Sequence, residues 1–280
     1  MRRLIIAIAV LGILFAPAAA KAEITKSDDF SSTSINTGVW TSPAGAYNGA
    51  TWIQNGGSTG VLNFTSNDSG EANGQYISNF NFSLNYDFYA KAQFNYDKTK
   101  VGGVGLGFYS LDKVGYNSKY LGSIEALYGS DSPSIPLGKY FVGSVELFDP
   151  IADDPYHYES IFEAISPRTI DSGWFGMYYN SSLDKLQMGA FSSDPSLTPA
   201  PVPIWGTEFP VSPAPGLKAL LTSDYVGLSL SGWADYVALA QGEATLDNFG
   251  AMSTVPEPVS TILFLAGGTI LAVRRLRRKK

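Results

Sequence analysis

Carboxylates and a single imidazole are the side chains through which this 280-residue chain could do chemistry, because it has no cysteine and only one histidine, His157. That inventory excludes a disulfide scaffold, a thiolate-bound metal and a multi-histidine centre. His157 sits in Pro155-Tyr156-His157-Tyr158, and the chain has no Gly-x-Ser-x-Gly elbow to supply a nucleophile, so it reads as a structural histidine among tyrosines. Glycoside hydrolysis needs only two carboxyl groups about 5 to 9.5 Å apart. The nearest spacings are Glu146 with Asp149, three apart and so on opposite faces of a strand, and Glu159 with Glu163, which share strand parity but lie about 13 Å apart. Both sets read as solvated charges on a polar face.

The elements that must position these groups are strands. From Tyr86 to Asp97 the even positions read Tyr, Phe, Ala, Ala, Phe, Tyr and the odd ones Asp, Tyr, Lys, Gln, Asn, Asp, the alternation of a half-buried strand. Lys139 to Phe148 places Phe141, Val145 and Leu147 on one side, and Trp174 to Phe191 reads as a hairpin closed by a polar turn at Asn180 to Asp184. Further short candidates are spread from Ala50 to Trp233, separated by Asn-Gly and Gly-Gly turns, and no long segment keeps helical apolar spacing. About a dozen short strands predict a sandwich or jelly roll. Seven prolines between residues 195 and 216 predict an extended, exposed loop, with closure over a ligand through Trp205 and Phe209 as the alternative.

Both ends read as targeting segments. Residues 1–22 pair Arg2 and Arg3 with an apolar run and an Ala20-Lys21-Ala22 cleavage pattern, a secretory signal peptide cut before Glu23. At the other end, Pro256-Glu257-Pro258 precedes an apolar transmembrane stretch, residues 259–273, and a tail with six cations in seven residues, which would stay cytoplasmic. This arrangement over residues 255–280 resembles the PEP-CTERM sorting signal. The resemblance implies a Gram-negative export, held briefly in the inner membrane and processed by an exosortase in an organism that makes extracellular polysaccharide. Pro256, Glu257 and Pro258 would then be a recognition element. Between the ends, residues 23–254 carry ten Lys and Arg against 24 Asp and Glu, net −14, which disfavours nucleic acid and favours cations.

A second resemblance lies at the edges of that body. Asp28-Asp29-Phe30 with Trp40, and the closing runs Val226 to Gly232 and Gly242 to Phe249, resemble the first and last strands of concanavalin A-like lectin and glucanase domains. The resemblance implies an all-β antiparallel jelly-roll sandwich over residues 23–254, in a family that includes carbohydrate binders, glycosidases and interaction modules. Its glucanases carry Glu-x-Asp-x-Glu or Glu-x-Asp-x-x-Glu on one strand, and no such run occurs here. Paired terminal strands would bring Asp28 or Asp29 near Asp247 and Asn248, oxygen ligands suited to Ca2+; the alternative is that these side chains pin strand ends through local hydrogen bonds. Tyr89, Gln93 and Asn95, on the wet face of one strand, are the candidates for a polysaccharide ligand.

The resulting expectation is an exported surface or matrix protein, a non-catalytic glycan-binding sandwich associated with exopolysaccharide. A purely structural matrix protein and a divergent glycoside hydrolase are the two alternatives. A cleft lined by two carboxylates would favour hydrolysis, and a flat polar face the structural role.

Overall fold

Alternation of apolar and polar residues builds nearly every element of the computed structural model, which describes residues 21–47, 49–55, 60–110, 120–129, 135–148, 158–196, 201–209, 217–221 and 224–256. In β6 (Phe88–Tyr96), Phe88, Ala90, Ala92, Phe94 and Tyr96 are buried while Tyr89, Lys91, Gln93 and Asn95 stay partly exposed. Residues 25–253 form one compact unit. Residues 1–20 and 257–280, with most of the predicted leader, Glu257, Pro258 and the 259–273 span, lie outside the described residues, as do Asp149 and His157. Among the described residues no helix is long and apolar enough to cross a membrane.

Two antiparallel sheets make the sandwich. The first contains β1 (Lys21–Asp28), β3 (Thr51–Asn55), β4 (Val61–Thr65), β6, β11 (Ser172–Asn180), β12 (Lys185–Phe191), β13 (Trp205–Phe209) and β15 (Ala244–Pro256), in the order β13-β12-β11-β6-β15-β4-β3 with β1 also on β15. We call it the terminal sheet, because it holds the first and last strands. The second contains β2 (Trp40–Tyr47), β5 (Glu71–Ser83), β7 (Gly102–Ser110), β8 (Tyr120–Tyr128), β9 (Lys139–Phe148), β10 (Tyr158–Pro167) and β14 (Tyr225–Asp235), in the order β10-β9-β8-β7-β14-β5-β2. A single short helix, α1 (Leu217–Leu220), is described. The core between the sheets is aromatic, with Phe94 stacked on Phe175 at 4.3 Å and Phe88 on Tyr179 at 5.4 Å between ring centroids.

Two local results differ from the alternation and composition arguments. Inside the proline-rich stretch, the proline-free window Trp205–Phe209 keeps its N–H groups and pairs with β12 as an edge strand, and Trp205 packs on core Phe141. In β10, a bulge between Ser160 and Phe162 breaks the parity of Glu159 and Glu163. Glu159 registers with Leu147 and Glu163 with Ser144, so four residues of β10 span only three of β9.

The Asp28, Phe30 and Trp40 constellation knits the first strand to the core. Asp28 accepts hydrogen bonds from the Phe30 backbone N–H (2.9 Å) and from Trp40 Nε1 (2.8 Å), and the first closes an Asx turn that holds Phe30 at φ 49°. Trp40 in turn packs on Phe30, Tyr76 and, at 4.7 Å, Phe249 of β15. Asp28→Ala would leave two buried donors unpaired, and urea unfolding should show a loss of about 2–4 kcal/mol. A loss below about 0.5 kcal/mol would contradict this role.

Candidate functional site

On the outer face of the seven-stranded sheet, β7 has no side chains over five residues. Gly103, Gly105 and Gly107 face outward there, between the inward Val104, Leu106 and Phe108 of the core. A Cβ on Gly105 would meet Glu125 Cγ and Ser231 Oγ at 2.7 Å, and one on Gly103 would meet Leu127 Cβ at 2.7 Å. The glycines therefore let neighbouring side chains lean over β7 instead of standing beside it. The result is a trough of about 280 Å³ whose lining includes Gln75, Glu125, Glu146, Glu163, Ser231 and Trp233.

Strand register explains which groups meet. One row across the sheet runs Gln75, Ser231, Gly105, Glu125 and Val142, and the next runs Ile77, Ser229, Gly107, Ser123, Ser144 and Glu163. Glu125 crosses the glycine floor to accept from Trp233 Nε1 (3.0 Å), Ser123 Oγ (3.1 Å) and Ser231 Oγ (3.5 Å). Burial nevertheless pushes its carboxyl above the ordinary glutamate range. Burial is also the main cause that pushes Glu146 up to about 7, with the charges of Glu125 and Glu163 adding to it. Glu146 registers with Leu121, four residues from Glu125, which puts the two Cα atoms about 14 Å apart. Glu163, opposite Ser144, is instead a diagonal neighbour of Glu146 at about 7–8 Å. Gln75 is 8% exposed, and its buried Oε1 meets no donor.

The residues singled out from sequence fall elsewhere. Tyr89, Gln93 and Asn95 share the outer face of β6, in the other sheet. Tyr89 lines a cavity of about 380 Å³ with Tyr178, Gln187 and Phe191, above a cross-strand row of Gly176, Gly189 and Gly206. Its hydroxyl is buried without a partner there. Gln93 instead accepts from Asn248 Nδ2 (2.9 Å), and Asn95 donates to the Gly242 carbonyl (3.5 Å), so these two face the β15 side. Lys91 lies over the Trp174 ring and pairs with Asp194.

Asp28, Asp29 and Asp247 do come within range of one another's charge. Burial first, and then the neighbouring carboxylates, hold Asp28 and Asp247 above the usual range, while hydrogen bonds from Ser31 hold exposed Asp29 below it. Their oxygens are engaged locally: both Asp28 oxygens as described, Asp29 by the Ser31 N–H (3.1 Å), and Asp247 by the backbone N–H and side-chain amide of Asn248. Among the described residues no group of three or more histidines and carboxylates is arranged to hold a metal ion.

Sequence reading passed over Glu125 and Trp233. They lie 108 residues apart and meet only through the pairing of β7 with β8 and with β14. The one signal was the Gly103-Val104-Gly105-Leu106-Gly107 alternation, which marks a strand bare on one face.

Among solved structures, the chain is similar to peanut lectin with a 9mer peptide (TM-score 0.53, 12% identity, 84% of this chain and 98% of that one). It is also similar to lectin II from Ulex europaeus (0.51, 12%, 83% and 99%) and to the lectin from Bauhinia forficata in complex with GalNAc (0.50, 12%, 85% and 100%). At these identities the likeness is one of fold: an all-β sandwich of two antiparallel sheets, built like the legume lectins. No family model and no curated protein matches the chain.

Two outcomes follow from the trough. Gly105→Ala should destabilise the protein by about 1–3 kcal/mol in urea unfolding, because the new methyl meets Glu125, Ser231 and the Ile124 carbonyl; an unchanged midpoint would contradict the packing described. The folded state also holds the Glu146 proton more tightly than the unfolded chain does. Its contribution is therefore complete below about pH 4.5 and lost as pH rises through about 7. Glu146→Gln should reduce the fall in stability between pH 4.5 and 7.5 by about 2 kcal/mol, and an unaltered pH profile would contradict the burial of this carboxyl.

Proposed function

We propose that this is an exported glycan-binding protein of the cell surface or extracellular matrix, which holds polysaccharide in the trough of the seven-stranded sheet. The observation that carries the reading is the bare face of β7, over which Trp233, Glu125 and Gln75 converge. Sugars are bound by an aromatic face together with a few fixed polar groups, and the half-buried indole, the carboxylate and the amide supply both. A carboxylate steadied by three donors is preorganised to accept from a sugar hydroxyl. Export, exosortase processing and association with exopolysaccharide rest on the sequence of the two ends, the leader at residues 1–22 and the Pro256-Glu257-Pro258 signal.

One observation favours a second reading, glycoside hydrolysis. Glu146, pushed up to about 7, is fitted to donate a proton at neutral pH, and Glu163 stands diagonal to it on the next strand. Hydrolysis would shorten the glycan, whereas a binding module returns it intact.

The full chain, immobilised and challenged with a panel of polysaccharides, should retain at least one class unshortened. Trp233→Ala should weaken that retention at least tenfold, about 1.4 kcal/mol, while the circular dichroism spectrum stays that of a β-sandwich. Shortened product that disappears in Glu146→Gln would establish the second reading. Retention of no glycan would leave a purely structural role in the matrix.

A further inference from the structure

Glu125, Glu146 and Glu163 reach the same trough from three adjacent strands, and no lysine or arginine among the described residues lines it or pairs with them. The ion pairs described elsewhere show what is missing here. Among the described residues Lys91 bonds Asp194, Lys100 bonds Glu243 and Lys139 bonds Asp171, whereas Glu125, Glu146 and Glu163 meet no such cation. Carboxyl groups crowded together over half-buried side chains without a cation are costly to ionise, an arrangement found where a ligand supplies the missing charge.

A second observation is independent of charge. Gln75 is 8% exposed, lines the trough through its place in the Ser231 and Glu125 row, and keeps a buried Oε1 with no donor. An amide oxygen left without a donor in a protein interior is destabilising. The surplus in the trough is therefore one of acceptors, and the complementary ligand is rich in donors. Hydroxyl groups answer Gln75 and Ser-bound Glu125, and a positive charge answers the carboxylates. A uronic acid or sulfated sugar brings the wrong sign to a body already at net −14 over residues 23–254.

We propose that the trough recognises a cationic amino sugar, a glycan whose free 2-amino groups are protonated, with successive ammonium groups seated along Glu125, Glu146 and Glu163 and the hydroxyls directed at Gln75 and the flanking serines. This rests on the glycan-binding reading above and adds the charge class of the ligand. Trp233 supports a sugar over a basic peptide, because its indole is held in place by Glu125 beside the carboxylates and offers a ring face at the same site.

The test uses the immobilised full chain at pH 6 with three hexasaccharides of the same linkage, made of glucosamine, N-acetylglucosamine and glucose, and with hexalysine. The glucosamine hexamer should bind at least tenfold tighter than the other two sugars and than hexalysine. Its affinity should fall about tenfold between 50 and 500 mM NaCl. Glu163 is exposed, so Glu163→Gln is expected to fold normally, and it should narrow the preference for glucosamine about threefold with a melting temperature no lower than the parent's. Equal affinity for the three sugars would overturn the charge assignment while leaving the glycan reading intact. Hexalysine binding as tightly as the glucosamine hexamer would overturn the sugar part. Retention of none of the four would overturn both.

Discussion

The candidate site depends on one constraint, that the outer face of β7 be free of side chains from Gly103 to Gly107. Gly103, Gly105 and Gly107 alternate with three core residues, so over this stretch the strand fills the interior and leaves the outside bare. Strands on either side fill the vacancy asymmetrically. From β8, Glu125 lies across the floor, and from β14 the Trp233 indole and Ser231 meet it. The hydrogen bond between Glu125 and Trp233 thus spans a strand that neither belongs to. A methyl group at Gly105 would push into both sides of that bridge.

The rest of the sandwich makes this constraint affordable. A strand that lacks half its side chains is weak by itself, since glycine gains nothing from packing and loses the most entropy on folding. β7 is central, with a ladder of eight residue pairs to β8 and of nine to β14, and its inner Val104, Leu106 and Phe108 sit in a core braced by stacked aromatics from the terminal sheet. At the sandwich's other edge, the Asp28 carboxylate fixes Trp40, and Trp40 touches both Phe30 and Phe249. The first and last strands are so tied into one aromatic cluster. The packing that holds the sandwich together thus lies in the core and the closing strands and makes no use of the outer face of Gly103–Gly107.

The sequence disclosed the scaffold more readily than the site, for a physical reason. Strand alternation is local, so the burial of Phe88, Ala90, Ala92, Phe94 and Tyr96, and the hairpin from Trp174 to Phe191, could be read from spacing alone. The terminal Asp28, Phe30, Trp40 and Phe249 signature is legible too, and these residues meet through packing and hydrogen bonding. The trough was not legible, because Gln75, Glu125, Glu163 and Trp233 meet only through register between strands distant in sequence. Sequence distance also misled in β10. One extra residue at the bulge shifts the register between Glu159 and Glu163, which no count along the chain reveals. Tyr89, on the wet face of β6, lines a cavity on the terminal sheet, while Gln93 and Asn95 turn to Asn248 and Gly242.

Two outer faces thus compete for a ligand, one lined by Glu125 and Trp233 and the other by Tyr89 and Tyr178 with Trp174 close by, and each carries a tryptophan that reports on it. The most direct measurement is the NMR spectrum of the indole N–H groups during titration with a retained oligosaccharide. The Trp233 Nε1–H resonance, hydrogen-bonded to Glu125, should shift or broaden in step with binding while that of Trp174 stays in place. Movement of Trp174 with Trp233 unchanged would put the ligand on the terminal sheet and contradict the assignment of function to the bare face of β7.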